Sequence, residues 1–110
     1  GDSQPTGTYD IIILDISDPS GAKISPPEPF RDVAYLTKVK ALLKENGLLM
    51  VNTIASDNKK LDTVIQDLAK VFDLMYLAKA EDELNHVIFA PNINFKRQKN
   101  EEDQVIVVEQ

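Results

Sequence analysis

The chain contains no cysteine and a single histidine, His86. Disulfides, thiolate nucleophiles and cysteine-ligated zinc are thereby excluded. With one histidine, a zinc ion would have to be held mostly by carboxylates, which is unusual, so no metal site is expected. Glycine is scarce: Gly1, Gly7, Gly21 and Gly47 are the full complement. None of them follows a strand and opens a helix in a GxGxxG turn, so the usual cradle for a nucleotide or nucleoside is missing. No apolar run approaches the roughly 20 residues that a membrane span needs. Residues 1–8 are small and polar with no basic flank, and do not read as a signal or transit peptide. Positive charge is in deficit, with 12 basic against 18 acidic residues and a net charge of −6. That balance argues against broad binding to a phosphate backbone and is compatible with a basic protein partner.

What remains is an ordinary globular composition, 43% hydrophobic and 27% charged over 110 residues, which fits one small domain with a modest core. Tyr9 to Asp15 reads YDIIILD, with four apolar residues in a row, three of them β-branched. Such a run predicts a strand buried on both faces, as in a parallel sheet covered by helices. Ile16 to Pro29 is proline-rich and predicts a loop. Phe30, Val33, Leu36, Val39 and Leu43 recur at helical spacing and predict a helix over 30–44, stopped by Asn46-Gly47. Lys38, Lys40 and Lys44 in its second half complement the helix dipole. Leu48 to Ile54 predicts a second strand. Ser56 or Asp57 caps a second helix running to about Val71, whose stripe of Leu61, Val64, Ile65, Leu68 and Phe72 is a core face. Asp73 to Lys79 and Asn85 to Ala90 predict two strands joined by a turn at 80–84, too short for a crossover, so they should pair antiparallel. The late apolar run Val105 to Val108 is placed to pair on a sheet edge. The division expected is a leader at 1–8, the fold at 9–91 and a polar tail at 92–110.

Chemistry concentrates at Asp15-Ile16-Ser17-Asp18-Pro19-Ser20-Gly21. Asp15 falls at the carboxyl end of a strand, the edge where open α/β sheets bind ligands. Asp18 lies three residues on, in the loop that would cover such a site. Carboxylates here can orient an amine nucleophile or accept its proton. Asp-Pro-Ser-Gly is also a sound β-turn, so Asp18 carries a turn-forming reading beside the functional one. Pro26-Pro27-Glu28-Pro29 reads either as a gate over the site or as a rigid lead-in to the helix. Asn52 reads either as a ligand contact or as a hydrogen-bonded buried amide. His86 reads as a surface or hydrogen-bonded histidine far from the Asp loop, and Phe95 to Lys99 as a solvated tail.

YDIIILDISDPSG resembles the polyamine-synthase signature, in which a strand ends in Asp and continues Asp-x-x-Asp-Pro-x-Gly. There the residue matching Asp15 is the catalytic base and the one matching Asp18 contacts the transferred group or the amine. The chain departs from that pattern at Ala22-Lys23, in lacking the glutamine of the second strand, and in lacking the amine-pocket segment. A closer resemblance covers Tyr9 to Pro91: the chain resembles the C-terminal methyltransferase domain of the methyltransferase-like protein 13 family. It rests on the Asp-Pro loop continued by Ser25 to Phe30, the Phe-x(5)-Leu-x-Lys-Val-Lys helix of Phe30 to Lys40, and the Glu-x-Asn-x-x-x-Phe strand of Glu83 to Phe89.

The resemblance implies an α/β fold, the C-terminal half of a Rossmann-like class I methyltransferase domain, mainly parallel and ending in an antiparallel hairpin. It implies S-adenosylmethionine as cofactor, bound chiefly by residues upstream of this chain, so that cofactor-binding residues are not assignable here. It implies elongation factor 1-alpha as protein substrate, through its N-terminal amine, and a cytoplasmic eukaryotic setting. Asp15 and Asp18 are then the catalytic candidates. The chain alone is expected to be inactive and, with a strand edge and apolar faces uncovered, to self-associate, as in a dimer that completes the sheet. Two other readings stay open: a polyamine aminopropyltransferase, and a non-catalytic Rossmann-like interaction module.

Overall fold

The structure, a computed structural model, describes residues 7–16, 24–79, 85–93 and 106–109. The chain runs through β1 (Tyr9–Leu14), β2 (Ile24–Ser25), a 3-10 turn (Glu28–Phe30), α1 (Val33–Leu42), β3 (Leu43–Ala55), α2 (Asn58–Ala69), β4 (Leu74–Lys79), β5 (Asn85–Pro91) and β6 (Ile106–Glu109). The strands form one sheet in the order β1-β3-β5-β4-β6, with β2 paired on the end of β3. β1 lies parallel to β3, and β4 parallel to β6. β5 is antiparallel to both β3 and β4. The expected hairpin is therefore present, and its second strand is inserted between β3 and β4 instead of closing the sheet at its edge. The expected edge pairing of the late apolar run is β6. The turn at 80–84 and the loop at 17–23 lie outside the described residues.

Alternation along β3 decides the layers. Leu49, Val51, Thr53 and Ala55 are buried, while Leu48, Met50, Asn52 and Ile54 on the opposite face are only half-buried. The buried face joins Leu36 and Val39 of α1 with Leu61, Val64 and Leu68 of α2 in one core that also takes Phe72, Met75, Leu77 and Ile88. Each such side chain contributes about 1.5–3 kcal/mol on leaving water. Both helices thus cover the same face. The α2 stripe behaves as predicted, whereas Val33 of the α1 stripe is 43% exposed. No described helix is long and apolar enough to cross a membrane.

Three local expectations change. First, α1 ends at Leu42, and Asn46-Gly47 is not its stop. Gly7 N and Thr8 N donate to the carbonyls of Ala41 and Leu42 at 2.8 and 3.0 Å. The Asn92 amide donates to the carbonyls of Leu43 and Lys44 at 3.2 and 3.1 Å. The helix's last carbonyls are thereby satisfied early. Residues 44–47 form instead an irregularity in β3, between the Tyr9–Leu43 and Ile11–Leu48 pairs. Asn46 takes the left-handed conformation at φ 65°, which asparagine tolerates. A Cβ at Gly47 would meet the Lys44 carbonyl oxygen at 2.9 Å and that of Asp10 at 3.1 Å, so the close approach demands glycine. Second, the proline-rich stretch is not all loop. It contains β2 and the 3-10 turn, and Arg31 Nε donates to the Pro26 carbonyl at 2.8 Å. Third, β1 is not buried on both faces. Tyr9, Ile11 and Ile13 are 49%, 55% and 66% exposed, because among the described residues β1 has a neighbour on one side only and no layer over one face.

Candidate functional site

Asp15 follows directly on β1, exposed, at the carboxyl edge of the parallel strands. The parallel register that pairs Leu14 with Val51 brings the next residue on each strand, Asp15 and Asn52, side by side. The Asn52 side chain donates from Nδ2 to Asp15 Oδ1 at 3.0 Å. Asn52 is thus a hydrogen-bonded amide, and its partner is the candidate carboxylate itself. The hydrogen bond fixes one carboxylate oxygen, and the exposed setting leaves the group open to an incoming donor such as an amine. The pair lies on the face opposite the helices, where Ile54 of β3 and Asn85 of β5 stand opposite one another at the same edge. Asp18, the second catalytic candidate, lies outside the described residues.

His86 departs from both of its sequence readings. It is 6% exposed, and its Nδ1 finds no hydrogen-bond partner. It is paired with Thr53 of β3, whose buried hydroxyl is likewise without a partner. Being two strands from β1, it stands about 10 Å away laterally, much closer than its sequence separation suggests. Strand alternation places it on the helix-covered face, away from the Asp15–Asn52 pair.

The other charged groups are structural. Arg31, 8% exposed, forms an ion pair with Asp67 of α2, which Lys70 also approaches at 3.6 Å. With its bond to Pro26, Arg31 ties the proline segment to α2, which favours the lead-in reading of that segment over a free gate. Nothing in the sequence pattern singled Arg31 out. Lys40 Nζ donates to the Val71 carbonyl at 3.1 Å and stands 5.6 Å from the centre of the Phe72 ring, a cation–π arrangement. A shallow hollow of about 350 Å³ lined by Glu45, Asn46, Asn92 and Ile93 sits at the opposite end of β3 from Asp15 and brings no candidate residues together. Among the described residues no cradle for a nucleoside is formed: Gly47, inside β3, is closed in by the carbonyls of Lys44 and Asp10.

No family model matches the chain. Over 83 residues it is 34% identical to a Mus musculus protein named eEF1A lysine and N-terminal methyltransferase, an alignment that covers 74% of this chain and 12% of that protein. The Homo sapiens protein of the same name is 33% identical over 91 residues, covering 81% of this chain and 13% of its own length. The chain therefore spans only 12–13% of these relatives. Among solved structures, that of human methyltransferase-like protein 13 in complex with SAH matches with a TM-score of 0.68 and 35% identity, over 82% of this chain and 40% of that one.

Proposed function

The chain is a segment of the methyltransferase-like protein 13 family, and we propose that it supplies the acceptor-side edge of an S-adenosylmethionine-dependent protein methyltransferase. The observation that carries this reading is Asp15, at the carboxyl end of β1, held by Asn52 across the parallel register. An amine must lose its proton before its lone pair can attack a sulfonium-bound methyl carbon. A carboxylate within reach accepts that proton or orients the amine. Asn52 constrains one oxygen of Asp15, which reduces the orientations the carboxylate samples. Asp18 is proposed as a second contact to the acceptor. The acceptor class is a protein amine of elongation factor 1-alpha, in keeping with the relatives' names, which give both lysine and the N-terminus; the resemblance of this segment to the family's C-terminal domain favours the N-terminal amine.

The described residues do not themselves fit the cofactor, since they include no glycine-rich strand-to-helix turn. No step through it is assigned to this chain, and the chain alone is proposed to be inactive and to self-associate.

Two experiments test the reading. Asp15→Asn, introduced into the complete protein, is expected to abolish methyl transfer while leaving the affinity for S-adenosylhomocysteine unchanged. Undiminished turnover would remove Asp15 from the mechanism. Calorimetric titration of S-adenosylhomocysteine into the 110-residue chain is expected to show no saturation. One-to-one saturation would show that the segment holds the cofactor by itself.

A further inference from the structure

Beyond the Asp15–Asn52 pair, β3 continues to Ile54, and both sides of that position are occupied. β5 pairs Asn85 with it. β2 pairs Ser25 with it, antiparallel, in the place beside β3 that β1 leaves after the Leu14–Val51 pair. Strand alternation puts the Ile54 side chain on the face of Asn52, while its neighbours Thr53 and Ala55 are buried on the helix-covered face. Two residues of strand rise set Ile54 about 7 Å from the level of Asp15 and Asn52. Its backbone is engaged by strands on both sides, so the position offers an incoming molecule a half-buried, β-branched hydrocarbon side chain, stiff at χ1. β2 is shorter than strands usually are. Arg31, buried against Asp67, bonds the Pro26 carbonyl and fixes the end of β2, so Ile54 is framed as firmly as the pair it adjoins.

We infer that Ile54 is a specificity-determining residue: it is the wall that limits the side chain on the carbon bearing the acceptor amine. This rests on the reading of Asp15 as the acceptor-side carboxylate and adds the residue that chooses among acceptors. The described residues do not hold the cofactor, so what they meet is the acceptor. Ligands of open α/β sheets lie beyond the carboxyl ends of the strands, and on this face of β3 Ile54 is the residue beyond Asn52. A nitrogen bonded to Asp15 stands about 3 Å from its carboxylate, and the Cβ of its residue lies about 2.5 Å further on. That carbon falls within the 4.0–4.5 Å or so that defines apolar contact with the Ile54 side chain.

The test measures kcat/KM of the complete protein on short peptides with a free N-terminal amine that differ only in their first residue, Ala, Val or Leu. Wild type is expected to prefer Ala over Leu. Ile54→Ala is expected to reduce that preference about 10-fold, Ile54→Phe to sharpen it, and Ile54→Val to stay near wild type. A loss of stability lowers turnover of all three peptides alike and does not re-rank them, and the affinity for S-adenosylhomocysteine checks that each variant is folded. A wild type that is indifferent to the first residue or turns over none of the peptides, or a ranking that Ile54→Ala and Ile54→Phe leave fixed, overturns the inference. If Asp15→Asn is then still inactive on intact elongation factor 1-alpha, the reading of Asp15 stands without it; if Asp15→Asn retains turnover there, both fall.

Discussion

Asp15 and Asn52 are 37 residues apart and share one hydrogen bond. Neither residue is unusual by type, and the pair exists only because parallel pairing sets the two strand positions abreast. Arg31 shows the same dependence on position. Its guanidinium serves the Pro26 carbonyl and the Asp67 carboxylate together, which a planar fork of donors does and a point charge does not. Arg31→Ala leaves a largely buried carbonyl without its donor and a half-buried carboxylate facing only Lys70. It is expected to destabilise the fold by about 3 kcal/mol, the cost of breaking a buried pair on one side, read as a lowered midpoint in urea with the slope unchanged. Arg31→Lys should recover only part of the loss. Equal midpoints for Arg31→Ala and wild type would show the ion pair to be energetically idle.

Among the elements, α2 depends most visibly on one terminus. Asp57 accepts from Lys60 N at 2.8 Å and from Lys60 Nζ at 3.1 Å. Those hydrogen bonds, the backbone one first, hold its carboxyl below the ordinary value of 3.8. A carboxyl with a depressed folded-state pKa stabilises the fold fully above its unfolded value, and that contribution is lost as the pH falls through the folded value. The α2 cap should therefore be intact from neutrality down to about pH 4 and weaken on further acidification. Asp57→Asn, which keeps an oxygen acceptor for the helix N–H, is expected to flatten the acid limb of the stability profile. An acid limb identical to wild type would assign it to other carboxylates. For α1 the decisive groups lie elsewhere in the chain: its end is drawn by Gly7, Thr8 and Asn92, not by the Asn46-Gly47 pair that marks a stop in the sequence.

At the scale of the whole molecule, among the described residues two helices cover one face of the sheet, and the residues on its other face are half-buried or exposed. β1, whose apolar run reads as a strand buried on both sides, has a covering layer on one side only among those residues.

The amino-acid sequence by itself determined the order of the long strands and helices, the core stripe of α2, a cap at Ser56 or Asp57 and the candidacy of Asp15, because periodicity, capping chemistry and motif spacing are all local properties. Family membership was legible for the same reason, in the Asp-Pro loop and the segments that follow it. Only the tertiary structure decided that β5 inserts between β3 and β4, that Asn52 holds Asp15, that Arg31 clamps Pro26 to Asp67, that His86 is buried beside Thr53, and that Tyr9, Ile11 and Ile13 of β1 are exposed. Each of these depends on which segments distant in the chain become neighbours, and an apolar run looks the same in sequence whether a second layer covers it or solvent does.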